Sequence, residues 1–419
     1  MIWVFTGPSL PADDPVLAGP GVRVLGPAGH GDLFRLPARA GDTVVLIDGV
    51  YHQAPAVRHK ELLAVLAAGV RVIGAASIGA LRAVELEAFG MEGVGAVVEG
   101  FRSGLLRGDD EVAVGQDPVD ASAVTWPLVN VRQVLAAARA AQVLEEAVAG
   151  RLLEALRRVY YAQRSTAAVR AVCRREGADA FVQWLEERRA AYPRFGDVKW
   201  ADAWLAVRTA MRTPGGPVVR PPMPGSVYFG RWRSHFAVQE VDGLVLPTRL
   251  RVAYQQVFHR GFPSVWASAL DYLSRHPRDG SPGMGLRERC GRCVDGGPVL
   301  PVHLLFRVEP DLSDAAVVEV LLAEETAQDR AAVARYMAAD ERARRQVAGF
   351  TAESVRDDVA VRVLSSAWRC PAAGLEEEAA ARGLYGTARA LQAVKPFIAG
   401  LLEDKDRARV GREGAGAHV

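Results

Sequence analysis

Short apolar runs crowd the start of the chain, and apolar positions at helical spacing take over further on. Residues 2–5 are an apolar run closed by the turn signal Thr6-Gly7-Pro8-Ser9. Residues 22–25 and 43–47 are the next candidate strands. Val44, Val45, Leu46 and Ile47 are apolar without alternation, as in a strand covered on both faces, and Asp48-Gly49 ends the run. Pro55 suits the first turn of a helix that carries Val57, Leu62, Val65 and Leu66 on one side and stops at Gly69. Residues 70–73 follow as a strand, then Gly74-Ala75-Ala76-Ser77 and a helix reaching Phe89-Gly90. This alternation predicts an α/β fold: a small parallel-sheet N-terminal domain with right-handed crossovers and Ser77 at a strand-to-helix turn.

After about Pro127 the texture becomes that of Ala-, Arg-, Leu- and Glu-rich helices over 131–161, 165–177, 178–191 and 197–211. Proline and glycine gather at 213–217 and 221–225, and helical patterns resume over 227–274 and 315–402 around a Gly/Pro/Arg-rich stretch at 276–298. The expected organisation is an α/β core with a helical extension at 1–212, a linker at 213–226, a mainly helical domain at 227–403 and a flexible tail at 404–419.

Composition narrows the class but not the chemistry. In 419 residues, 51 Lys and Arg face 49 Asp and Glu, so no global field argues for nucleic acid or an anionic membrane. The N-terminus lacks the basic region and long apolar core of a signal peptide. No apolar run reaches the ~18 residues of a membrane helix. Four cysteines make no disulfide framework, and the expected setting is a reducing cytoplasm.

Three clusters can carry chemistry. In the first, Ala75-Ala76-Ser77-Ile78-Gly79 is one substitution from the G-x-S-x-G turn that presents a serine nucleophile at a strand-to-helix junction. The N–H groups that follow would face the hydroxyl's target as an oxyanion site, aided by the helix dipole. The bland alternative is that Ser77 only caps the helix, which is the commoner use of serine there. The second cluster joins Asp48 and Tyr51, beyond a parallel strand, to His59, Lys60 and Glu61. Three successive helical residues cannot share a face. Lys60 reads as a base or anion clamp and His59 as a proton carrier, against the alternative of a solvated helix face. The third cluster, Asp109-Asp110-Glu111, reads as a partner or ligand contact or as loop decoration, and is too compact for a complete metal site. Cys290-Gly291-Arg292-Cys293 lacks a second pair, with His276 and His303 the nearest histidines, so neither a metal nor a cofactor is expected. Cys173 and Cys370 read as packed thiols, and Trp200, Trp204, Tyr228, Phe229 and Trp232 as core aromatics.

Taken in order, Asp48-Gly49-Val50-Tyr51, Pro55-Ala56-Val57 with His59-Lys60-Glu61, residues 74–86, Phe89-Gly90-Met91 with Gly93-Val94-Gly95, and Asp109-Asp110-Glu111-Val112-Ala113 resemble the TfuA-like family. The resemblance covers about residues 1–130, with echoes at 127–132, Lys199 and Asp202 that extend it toward 210. Ile78 and Val84 stand where the family pattern would have Met and Ala.

The resemblance implies a role in peptide backbone thioamidation beside a YcaO-type cyclodehydratase. A ThiS-like sulfur-carrier protein bearing a C-terminal thiocarboxylate would be hydrolysed to release sulfide for that enzyme. A ribosomal precursor peptide is a further possible partner, and neither nucleic acid nor a membrane is implied. Ser77, or a water it holds, would attack, with Lys60 or His59 taking the proton and Asp48 orienting the cation. Gly74, Ala76, Ile78, Gly79, Arg82, Tyr51, Asp109, Asp110 and Glu111 would contact substrate. The alternative is a non-catalytic adaptor that docks carrier or peptide onto the YcaO enzyme, with Asp109-Asp110-Glu111 as its docking surface.

Overall fold

A computed structural model describes the chain except residues 52, 53, 118–121, 214, 217, 223–225, 278–280, 294–305, 307, 309, 313, 348, 349 and 416–419. The chain divides into two compact units, 1–224 and 225–419.

The first unit is built on five strands, β1 (Ile2–Phe5), β2 (Val22–Leu25), β3 (Thr43–Leu46), β4 (Arg71–Ala75) and β5 (Glu92–Val94). All neighbours run parallel, in the order β2-β1-β3-β4-β5. The four apolar runs expected as strands are there. The three-residue β5 was not foreseen, because Glu-Gly-Val has no apolar run to mark it.

Alternation along each strand sends side chains to both faces. Val44 and Leu46 join Phe5 and Val72 on one face, and Val45 and Ile47 join Ile2, Val4 and Ile73 on the other. After the short α1 (Asp32–Arg35), the first face is covered by α2 (His59–Ala67), through Leu62, Val65 and Leu66, and by α3 (Ile78–Leu86), through Ala83 and Leu86. The second is covered by α9 (Val198–Arg212), which lays Ala203, Ala206, Val207 and Ala210 on the sheet. Small residues at that spacing let the helix axis approach closely. The outcome is a three-layer α/β architecture followed by a largely helical region, α/β overall.

Local departures have physical causes. Pro55 does not open α2: the chain stays extended through Ala56, which bridges to Gly29, and the helix starts at His59. The single pattern at 131–161 divides into α5 (Leu128–Ala140) and α6 (Glu146–Arg157). With α7 (Thr166–Arg175) and α8 (Asp179–Ala191) these form a helical cluster around Leu128, Leu135, Leu152, Leu156 and Phe181.

In the second unit the pattern at 227–274 is interrupted by a hairpin. Strands β6 (Val238–Val241) and β7 (Leu244–Pro247) pair antiparallel across Asp242-Gly243, both at positive φ, the two-residue turn that such a hairpin requires. Helices Thr248–Phe258, Asp357–Trp368 and Thr387–Ala415 pack around Val257, Leu364, Trp368 and Val394. Tyr228, expected in the core, is exposed. His303 lies outside the described residues. Among those described, no group of three or more His, Cys, Asp and Glu side chains is arranged to hold a metal ion. No described helix is long and apolar enough to cross a membrane.

Candidate functional site

In an open parallel sheet, ligands gather beyond the carboxyl ends of the strands, at the point where the strand order reverses. Here that point lies between β1 and β3, and Asp48 follows β3 there. Its Oδ2 accepts from the Gly7 and Ser9 N–H groups, both at 2.9 Å, and its Oδ1 accepts from the Ser9 hydroxyl at 2.7 Å. Lys199, near the start of α9, places Nζ 4.0 Å from Asp48 Oδ1 and donates to the Val112 carbonyl at 2.7 Å. Burial lowers the Lys199 pKa from the ordinary lysine value, while Asp48 and Asp197 oppose the shift. Ser9 and Lys199 line a cavity of about 1000 Å3 whose walls are the ends of β1 and β2, the segment before α5 and the end of α8.

One strand further along the same edge, Ser77 heads α3. Its hydroxyl makes no capping hydrogen bond and its side chain is half-buried. The bland reading of this serine therefore lacks the bond on which capping rests. Ala76, just before it, has φ 64°, a left-handed conformation unfavourable for alanine, and the Ser77 N–H turns back to the Ala75 carbonyl at 2.7 Å. Gly79 donates to the Ile47 carbonyl at 3.2 Å, and a Cβ on Gly79 would collide with the Leu46 carbonyl. A Cβ on Gly74 would in turn collide with the Gly79 carbonyl. Gly79 thus seats the head of α3 on β3, and Gly74 lets it lie against β4. Because the Gly79 N–H is engaged, the Ile78 N–H is the helix-head donor for which no partner is found among the described residues.

The His59-Lys60-Glu61 triplet separates as helical geometry demands. His59 is exposed, 2.8 Å from Glu85 Oε2 and 3.3 Å from Arg82 Nη1, and Arg82 also pairs with Glu85. Lys60 is exposed on α2. The inward member is Glu61, which sequence reasoning gave no role. Its side chain is fully buried, accepts from the Gly31 N–H at 2.8 Å and the Arg58 N–H at 3.2 Å, and lies 3.2 Å from His30 Nδ1. Burial pushes its pKa up to about 7. Its only sequence signal is a position three residues beyond Arg58, where a carboxylate can bond back to the main chain at a helix start.

The acidic cluster also separates. Glu111 is buried and clamped by Arg132 at 2.9 Å through both oxygens, with Arg157 at 3.3 Å. It joins the loop to α5 and α6 and offers no docking surface. Asp109 is exposed and hydrogen-bonds Tyr51, whose pKa rises through burial first and through Asp109 second. Asp110 is half-buried near Arg164. The structure therefore brings Tyr51 and Asp109 together, and leaves Glu111 in the framework. Asp202 caps the head of α4 (Ala96–Arg102), accepting from Ala96 and Val97 N–H at 2.9 and 2.7 Å, which makes it structural.

A parallel sheet covered on both faces, with its polar groups collected at the carboxyl edge, makes the first unit a doubly wound α/β domain. Residues 48–165 match the family described as TfuA-like protein, and the chain carries a TfuA-like domain over that span. The match opens at Asp48 and closes at the cap of α7, so β1, β2, β3 and α9 lie outside it. No curated protein matches the chain.

Proposed function

We propose that this protein supplies sulfur to a YcaO-type enzyme in peptide backbone thioamidation, by hydrolysing a ThiS-like carrier whose C-terminus is a thiocarboxylate. The TfuA-like domain supports the thioamidation setting. The observation that carries the chemistry is the Ser77 hydroxyl, free of a capping bond at the head of a helix seated on the sheet's carboxyl edge.

In this reading the Ser77 Oγ attacks the thiocarboxyl carbon and its proton passes to His59 or Lys60 on α2. The Ile78 N–H stabilises the developing oxyanion and Arg82 offsets the substrate's charge. The carbon–sulfur bond breaks, sulfide takes up the proton and leaves, and water hydrolyses the resulting ester. The sum is thiocarboxylate plus water giving carboxylate plus hydrogen sulfide.

The test incubates purified protein with thiocarboxylated carrier, without the YcaO enzyme, and measures sulfide. Release that is lost in Ser77→Ala supports the hydrolase. Sulfide that appears only when the YcaO enzyme is added would make the protein an adaptor.

A further inference from the structure

The cavity beside β1 has no part in the chemistry just described, and its course along the sheet edge suggests one. Its walls begin at Leu25, the last residue of β2, with Gly26 and Pro27 after it, cross Thr6–Ser9 beyond β1, and reach Lys199, which stands against Asp48 beyond β3. The sheet order places β4, and so Ser77, next in line. The opposite wall includes Trp126 and Pro127 together with Arg189 and Arg194.

We propose that this trough holds the extended C-terminal tail of the sulfur carrier, laid across the strand ends from β2 toward the Ser77 turn. The proposal rests on the hydrolase reading above and names where its substrate binds.

The dimensions agree. Strands stand about 4.8 Å apart, so three spacings from β2 to β4 make roughly 14 Å, the reach of four or five extended residues. A folded carrier domain cannot enter a cavity of about 1000 Å3, but a narrow tail can.

Donors inside the trough suit a peptide main chain and an anionic end. The Lys199 ammonium is buried with one carbonyl at hydrogen-bond distance and its carboxylate at 4.0 Å, so it retains donor capacity. The buried Arg189 Nε has no hydrogen-bond partner among the described residues, although its guanidinium lies over the Trp126 ring at 3.9 Å. Tail carbonyls would satisfy both groups. An anionic terminus moving along this wall passes Arg189 and Lys199, while Arg194 is already paired with Asp197 at 3.3 Å. The groups that line the trough on the sheet side, Thr6–Ser9, Leu25–Pro27 and Lys199, lie outside the residues matched by the family.

Gly26 gives a clean test, because a Cβ there meets nothing within 4 Å and its φ is one that ordinary residues adopt. Gly26→Trp should fold normally and obstruct the trough. We expect the full-length variant to bind the carboxylate form of the carrier about tenfold more weakly than wild type, and to show a similarly raised KM for sulfide release with kcat little changed. Shortening the carrier's tail by three residues should weaken binding to the wild type by a similar factor. Undiminished affinity in Gly26→Trp, or for the shortened carrier, overturns the trough. A wild type that binds the carrier through this tail but releases no sulfide overturns the hydrolase and leaves the trough standing.

Discussion

Ser9 grips Asp48 twice, through its hydroxyl at 2.7 Å and its main-chain N–H at 2.9 Å, and so ties the end of β1 to the end of β3. The carboxylate in turn is the counter-charge for Lys199. Removing one member of a buried pair strands the other charge. Asp48→Asn should therefore lower unfolding free energy by about 3 kcal/mol. Adding Lys199→Met should recover part of that loss. Denaturant melts of the two single variants and the double variant give the coupling. Strict additivity would mean that the two groups do not sense each other.

Ser77→Ala separates the two roles of that serine. A lost capping bond costs about 1 kcal/mol. Without such a bond the substitution should change stability by less than about 0.5 kcal/mol while abolishing sulfide release. A clear drop in Tm with sulfide release intact would return Ser77 to a capping role.

Ala76→Gly should be neutral or stabilising, by up to about 1 kcal/mol, because glycine adopts φ 64° without the steric penalty alanine bears. Gly79→Ala should have the opposite effect, since its methyl group meets the Leu46 carbonyl. Paired thermal melts check both. Equal effects would mean that the turn does not have this geometry.

Glu61 gives stability a pH dependence of definite sign. Its carboxyl titrates near pH 7 when folded and near 4.5 when unfolded, so between those values the native state holds a proton that the unfolded chain has lost. Its contribution is complete below pH 4.5, falls as pH rises toward 7, and is level above. Glu61→Gln should remove that fall, an amount of about 1–3 kcal/mol, from a series of melts between pH 4.5 and 8. Parallel pH profiles for variant and wild type would refute the assignment.

What the sequence displayed and what it hid follow from the range of the interactions. β1, β3 and β4 are runs of apolar residues whose burial on two faces is written locally, and α9 is marked by its small apolar stripe. The edge strand β2 is half-exposed, yet its turn flanks still delimit it. The hairpin at 238–247 was masked by helical patterns on both sides, although Asp242-Gly243 is a recognised turn pair. The serine turn was visible because strand, small residues and helix are contiguous. The Asp48 network was not, because Ser9 and Lys199 come from distant parts of the chain and meet Asp48 only once the sheet is closed. Within the triplet at 59–61, charge favoured Lys60, whereas the interior accepted the residue with main-chain donors waiting for it, Glu61.

The first unit can be tested as a separate body. Residues 1–224 contain the whole sheet, the serine turn and the trough. Expressed alone, they should melt cooperatively and release sulfide from the thiocarboxylated carrier, with the second unit needed for thioamidation by the YcaO enzyme. Loss of sulfide release in a well-folded fragment would assign part of that chemistry to residues 225–419.

The alanine face of α9 has a consequence for how the protein can diverge. Ala203, Ala206 and Ala210 fix the rotation of the helix against the sheet, and the same rod carries Lys199 at its head. Each helical residue turns the chain by about 100°. One residue gained or lost between 199 and 203 would therefore swing the ammonium away from Asp48 while the sheet stayed covered. A change of length there breaks the alignment that the alanine face sets, so α9 works as an indexing pin for the carboxyl edge.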